Sequence, residues 1–197
     1  MKTYHQHPPT TMKILSWNVR GLRKSRTHLA IRKVLYLHQP QILFYCETKM
    51  MVRHVNLIYR SFNFANCFAV DRNGLGGGLT MLWGADINVN ITSYRPHHID
   101  AIVSSESDLV WRCTGIYGQP ELNQKHNTWT LLKRLANLFS HCWCCFRDFN
   151  EVIHMYEKNG GNEKNVNVIV EFREVVGYKG YPYTWFNKRF GVNYIEE

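Results

Sequence analysis

Five short strand-like runs follow one another between Cys67 and Tyr117 with no helical pattern between them: Cys67 to Val70, Gly78 to Trp83, Ile87 to Tyr94, Ile99 to Val103 and Val110 to Tyr117. Ile87, Val89 and Ile91 alternate with polar residues, the period of a strand with one buried face. Glycines 74, 76, 77 and 78 separate the first two runs. Such a series must build extended sheet, and what flanks it sets the architecture.

On the N-terminal side, KILSW (13 to 17) and QILFYCE (41 to 47) read as buried strands. Between them Ala30, Ile31, Val34, Leu35 and His38 recur at helical spacing, with Ser25 or Thr27 as the expected cap. On the C-terminal side Trp129, Leu132, Leu135, Ala136 and Phe139 form one stripe of a helix over 128 to 139, and HCWCCFRD returns as a strand. A short helix is expected at 168 to 176, then a hairpin-like YPYTWFNKRFGVNYI. The reading is a layered α+β arrangement of two packed mixed sheets flanked by helices. Residues 1 to 11, with Pro8 and Pro9 and no periodic pattern, are expected to be a disordered extension, and the folded domain spans 12 to 197.

A chain of 197 residues with 45% hydrophobic and 14% aromatic content can bury a full-sized core. Its net charge of +9 suits a polyanionic partner. No run reaches the roughly eighteen apolar residues of a membrane span, and MKTYHQHPPTT lacks the apolar centre of a signal peptide. Six cysteines without a CxxC framework are expected to be reduced core thiols, including those at 142, 144 and 145. The expected location is therefore nuclear or cytoplasmic, without secretion.

Three strands end in polar residues that their apolar runs do not predict: Asn18 after ILSW, Glu47 after ILFYC, and Asp148 with Asn150 after CWCCF. Polar groups at the ends of central strands converge on one rim of a sheet. One Glu, one Asp and two Asn suit phosphodiester hydrolysis. A hard divalent ion takes one or two carboxylates and keeps waters, while neutral amides hold phosphate or a water without adding repulsion. The competing reading of each residue alone is an ordinary turn. Adjacent His97 and His98 cannot both reach one ion from a strand and read as structural, and no GK[ST] follows the glycine run.

The ordered set SWNVRGL, ILFYCETK, GLGGGLTMLW, HHIDAIV, WRCTGIYGQPE, RDFNEV and GYKGYPYTWFNKR resembles the endonuclease/exonuclease/phosphatase family. It most resembles the apurinic-type endonuclease domain of plant LINE (non-LTR) retrotransposons. The resemblance runs from about Met12 to the last residue and implies a four-layer α/β sandwich. It also implies a Mg²⁺-dependent DNA nickase, with Mn²⁺ as the alternative ion, in an element that also carries a reverse transcriptase domain. By resemblance Glu47 is the metal ligand, with Asn18 beside it supporting metal or phosphate. Tyr117 contacts the scissile phosphate, Asp148 orients or deprotonates the attacking water, and Asn150 helps to hold it. Lys188 and Arg189 fall where a family hairpin probes the groove of DNA. The glycine run falls at a family hairpin.

The sequence departs from that pattern in three places. The family continues past the position of Glu197 with an Asp and a closing Ser-Asp-His, so the final strands are expected to be missing. The link between Val176 and Gly177 is shorter than in the family, and Arg147 stands where the family has glycine before DFN. The expectation is weak or absent nicking. The alternatives are a non-catalytic remnant that binds nucleic acid and, further off, a phosphatase of the same fold.

Overall fold

A computed structural model describes residues 12–74, 76–105, 110–119, 121–138, 142–148, 166–167 and 169–170. Described residues up to Tyr117, together with the strand at 143–148, form one compact unit; those from Gly118 onward through the third helix belong to a second.

The first unit holds two four-stranded sheets. In the first, β1 (Ile14–Asn18), β2 (Ile42–Cys46), β4 (Gly76–Trp83) and β3 (Asn66–Asn73) lie in that order. The β1 and β2 strands run parallel, and the other pairs are antiparallel. The parallel pair requires a crossover, supplied by α1 (Ser25–His38). The second sheet runs β5 (Ile87–Arg95), β6 (His98–Ser105), β7 (Val110–Tyr117) and β8 (Trp143–Asp148), antiparallel except for the parallel β7–β8 pair. Both sheets are therefore mixed, as the run of strands predicts.

The sheets pack face to face through the alternating residues of their inner faces. Ile42, Phe44, Leu79 and Met81 of the first meet Ile87, Ile99, Ala101, Val103 and Cys113 of the second. Phe44 is fully buried, and a side chain on Gly115 of β7 would strike its ring. That glycine lets the two backbones approach across the core. Burial of one such aromatic side chain contributes about 1.5–3 kcal/mol. The other face of the first sheet, with Leu43, Tyr45 and Leu82, is covered by Ile31 of α1, Val55 of α2 (Val52–Ile58) and Phe62 of the 3-10 turn that follows. The result is a layered α/β sandwich with helices against a mixed sheet and a second mixed sheet beneath.

Several expectations are corrected. The α1 cap is Lys24, with no side-chain cap bond, and Ser25 is already helical. The helix α2 was not expected, although Val52, Val55, Ile58, Tyr59 and Phe62 are spaced for it. All six cysteines are free, but Cys142 and Cys144 are exposed rather than core thiols; Cys46 and Cys113 are the buried ones. The parallel neighbour of β8 covers one edge, and no strand among the described residues covers the other. In the second unit, α3 (Lys125–Ala136) buries Trp129, Leu132 and Leu135 of the predicted stripe, but Ala136 is exposed; the helix begins three residues earlier than expected, and Phe139 lies outside the described residues. Positions 166–167 and 169–170 are helical, and the remainder of the expected terminal helix and hairpin lies outside the described residues.

Candidate active site

The C-terminal ends of β1, β2 and β7 meet at one rim of the first unit. Asn18 is the last residue of β1, Glu47 follows the last residue of β2, and Tyr117 is the last residue of β7. The Glu47 carboxylate is their common partner. Asn18 Nδ2 donates to Glu47 Oε1 at 2.9 Å, and the Tyr117 hydroxyl donates to the same oxygen at 2.9 Å. Residues 29 and 70 positions away in sequence thus hold one carboxylate oxygen from two different sheets.

The orientation of the Asn18 amide follows from its other bond. Arg20 N–H donates to Asn18 Oδ1 at 3.1 Å, so the oxygen end faces the loop and the nitrogen end faces Glu47. Glu47 Oε2 has the Lys49 ammonium at 3.7 Å, an ion-pair distance longer than a hydrogen bond. The Glu47 side chain is 19% exposed, with Oε1 held by Asn18 and Tyr117 and Oε2 at ion-pair distance from Lys49.

The backbone that carries Glu47 is strained and held from both sides. Glu47 and Lys49 lie in the left-handed region, at φ 52° and 54°, as does Arg20 at 46°. Such conformations cost non-glycine residues roughly 1–3 kcal/mol each and persist where surrounding structure enforces them. On one side Gly21 N–H donates to Glu47 O at 2.8 Å and Leu22 N–H to Thr48 O at 2.9 Å. On the other, Thr48 N–H donates to Gly78 O at 3.1 Å and Lys49 N–H to Gly77 O at 2.9 Å. Gly77 and Gly78 have φ of 70° and 85°, and a Cβ on Gly78 would meet Thr48 Oγ1. The glycine run at the β3–β4 hairpin therefore grips the ETK segment through its backbone. This function of the glycines was missed; the signal was their clustering at the start of the strand-like run that ends at Trp83.

His97 was read as structural, and its contacts place it behind Tyr117. Tyr117 N–H donates to His97 O at 2.9 Å, and His97 Nδ1 lies 3.2 Å from Tyr117 O. A carbonyl can only accept, so Nδ1 carries the proton of that imidazole. The two rings stack with centroids 6.2 Å apart and planes 11° from parallel.

His98 opens β6, 4% exposed, with Nε2 3.2 Å from Ser93 Oγ. Burial lowers its pKa to about 4, against a smaller opposing influence from Asp100, so it is neutral at physiological pH. No group of three or more His, Cys, Asp or Glu suited to a metal occurs among the described residues.

Asp148 closes β8 with its backbone in register with Tyr117, and the Arg147 backbone is in register with Ile116. Asn150, Lys188 and Arg189 lie outside the described residues. The structure thus unites Asn18, Glu47 and Tyr117 and brings the Asp148 backbone to the same strand ends.

A single accessible carboxylate beside an amide and a phenol fits a hard divalent cation that retains most of its water, and does not fit zinc, which prefers a closed set of nitrogen and sulfur ligands. Glu47 would hold the ion through Oε2 while Asn18 and Tyr117 fix Oε1.

Neither a protein-family model nor a curated protein sequence matches the chain. Solved structures do. The 3'-5' exonuclease NExo from Neisseria meningitidis aligns over 91% of this chain and 80% of its own, at 16% identity and a TM-score of 0.62. The AP endonuclease LMAP from Leishmania major aligns over 84% of this chain and 66% of its own, at 16% identity and a TM-score of 0.60. TDP2 from D. rerio, complexed with a single-strand DNA product, aligns over 94% and 80%, at 16% identity and a TM-score of 0.56. The chain spans 62% of a humanized D. rerio TDP2. At these identities the likeness establishes the fold alone, the layered α/β sandwich that these structures share.

Proposed function

We propose that this protein is a divalent-metal-dependent phosphodiesterase acting on DNA, and more narrowly a nicking endonuclease of the kind found in LINE (non-LTR) retrotransposons. The observation that carries the reading is the partly exposed Glu47 carboxylate, held through one oxygen by Asn18 and Tyr117 from separate sheets. The fold shared with an exonuclease, an AP endonuclease and a DNA-complexed TDP2 supports the substrate class. The narrower assignment rests on the ordered motifs alone.

In this reading Glu47 binds Mg²⁺ or Mn²⁺, and Asn18 and Tyr117 fix its carboxylate before the ion arrives, which reduces the reorganisation the ion must drive. The ion, when bound, supplies positive charge to a phosphoryl oxygen. Tyr117, with its ring backed by His97, gives up its bond to Glu47 and donates its hydroxyl to the scissile phosphate when substrate binds. Asp148, carried to the end of β7 by the parallel register, takes a proton from the attacking water, and Asn150 holds that water. Lys188 and Arg189 contact backbone phosphates.

The test is conversion of supercoiled plasmid to the nicked circle in Mg²⁺ or Mn²⁺, with chelator as the control. Weak nicking or none is expected from this chain with either metal, and whatever nicking occurs is expected to be lost on Glu47→Gln and on Asp148→Ala. Metal-dependent nicking that survives Glu47→Gln would overturn the site. Salt-dependent DNA binding with no nicking under any metal would establish the non-catalytic alternative.

A further inference from the structure

Helix α1 is apolar on two sides. Its inner stripe buries Ile31 and packs Leu35 against the cluster that covers Leu43 and Tyr45 of the first sheet. On the opposite side Leu29 and Tyr36 are 68% and 81% exposed, and Leu37 is exposed beside them. Leu29 and Tyr36 stand one heptad apart and so lie within about 20° of one line along the helix. Arg32 flanks that line on one side, and Arg26 and Lys33 flank it on the other; all three are exposed.

Single exposed leucines are ordinary on a protein surface, and a solvated helix turns polar residues outward. A second apolar line, on the side its own sheet does not touch, is the pattern of a helix covered on both sides. Charge narrows what covers it. The α1 sequence SRTHLAIRKVLYLH contains no Asp or Glu, and none of Arg26, Arg32 and Lys33 forms an ion pair among the described residues. A second copy seated on this face by a two-fold axis would set these cations against their own counterparts. A phosphate backbone would satisfy the cations and leave the leucines and the tyrosine ring uncovered. A line of apolar side chains between two rows of cations instead matches a helix whose apolar seam runs between acidic margins, as charges pair beside the seam of a coiled coil.

We propose that α1 docks an amphipathic helix of a partner protein, apolar along its centre and acidic on both margins. Leu29 and Tyr36 pack on the partner's seam, Arg32 meets one acidic margin, and Arg26 and Lys33 meet the other. Tyr36 is the anchor, because a tyrosine covers a large area at low cost in side-chain freedom. The docking is independent of metal binding at Glu47 and goes beyond the phosphodiesterase reading.

The experiment titrates the full chain, in chelator, into a fluorescein-labelled synthetic peptide of three heptads with leucine at a and d and glutamate at e and g, read by anisotropy. A second peptide with lysine in place of glutamate is the charge control. Saturable binding of the acidic peptide is expected at a Kd of about 10–100 µM, without saturation by the basic one. Leu29→Ser/Tyr36→Ser is expected to weaken binding by about tenfold or more. Arg26→Gln/Lys33→Gln is expected to weaken it about three- to tenfold and to flatten its dependence on KCl. Leu57→Ser removes an apolar residue just as exposed, on α2, and is expected to change the Kd by less than about twofold.

Absence of saturable binding below about 1 mM would overturn the proposal. So would equal binding of both peptides, or a loss on Leu57→Ser equal to that of the α1 variant, either of which would mean nonspecific adhesion. Sedimentation with phosphatidylserine and phosphatidylcholine vesicles that Leu29→Ser/Tyr36→Ser abolishes, with peptide binding unchanged, would mean a lipid surface and would overturn it too. Circular dichroism verifies the fold, and Tyr36→Ser alone, with an expected loss of about fivefold, serves if the double variant does not fold.

Discussion

Two acid–base pairs sit in the same compact unit and have opposite fates. Glu47 and Lys49 stand 3.7 Å apart at the strand ends, 19% and 44% exposed. Asp100 and Arg112 face each other across β6 and β7, 0% and 1% exposed. Arg112 Nε lies 2.9 Å from Asp100 Oδ1, and its Nη2 lies 3.1 Å from Oδ2. Thr92 and Thr114 hydroxyls also donate to the Asp100 carboxylate, and the Arg112 guanidinium lies 4.9 Å from the centre of the Trp143 ring. Every oxygen of Asp100 is committed. Glu47 has Oε1 committed to Asn18 and Tyr117 and Oε2 at ion-pair distance from Lys49, without a hydrogen bond. The same chemistry therefore serves as a structural brace in one place and as a candidate reaction centre in the other, and the difference is satisfaction of hydrogen-bonding capacity rather than residue type.

The sharpest way to break that comparison is at the brace. Replacing Arg112 with Met leaves a buried carboxylate without its cation and is expected to destabilise the fold by about 3–5 kcal/mol, whereas replacing both partners with apolar residues recovers much of that loss. Urea unfolding of the single and double variants measures it. A single variant of near wild-type stability would mean that the pair is not the brace described.

The next effect is at the rim. Gly78→Ala forces a Cβ against Thr48 Oγ1 at a φ of 85°, and is expected to cost about 1–3 kcal/mol and to lower metal-dependent nicking. Adding Thr48→Ala removes the clash and leaves only the φ strain, so it is expected to restore part of both. No recovery in the double variant would mean that contact with Thr48 is not what the glycine avoids.

The smallest effect concerns Lys49. Its ion pair with Glu47 is partly exposed, so Lys49→Met is expected to change stability by less than about 1 kcal/mol. Removing the ammonium is nevertheless expected to raise the affinity of the chain for Mn²⁺ several-fold, read from free Mn²⁺ by electron paramagnetic resonance. A loss of affinity would show that Lys49 supports the ion rather than competing with it.

Much of this architecture is legible in the sequence because strands with one buried face announce themselves by alternation. Ile87, Val89 and Ile91 gave β5, and the apolar run ILFYC gave β2. The helix α2 escaped because Met50 and Met51 precede it and Arg53, His54 and Asn56 interrupt an apolar pattern only two turns long. Cys142 and Cys144 were misplaced for the opposite reason: an apolar composition suggested a covered strand, while exposure depends on which neighbours lie beside it.

The candidate site was legible as three polar strand ends, Asn18, Glu47 and Asp148, together with Tyr117 from its motif. Their union was not. Local sequence determined where each strand stopped and which residue stood there, since backbone pairing and side-chain alternation act over a few residues. The tertiary structure decided that Asn18 and Tyr117 share one oxygen of Glu47, that the glycine run grips the ETK backbone, that Asp100 spends its charge on Arg112, and that Leu29 and Tyr36 stay outside on α1. Those outcomes depend on sheet register and on packing between layers, and contacts between residues dozens of positions apart leave no periodic trace in the chain.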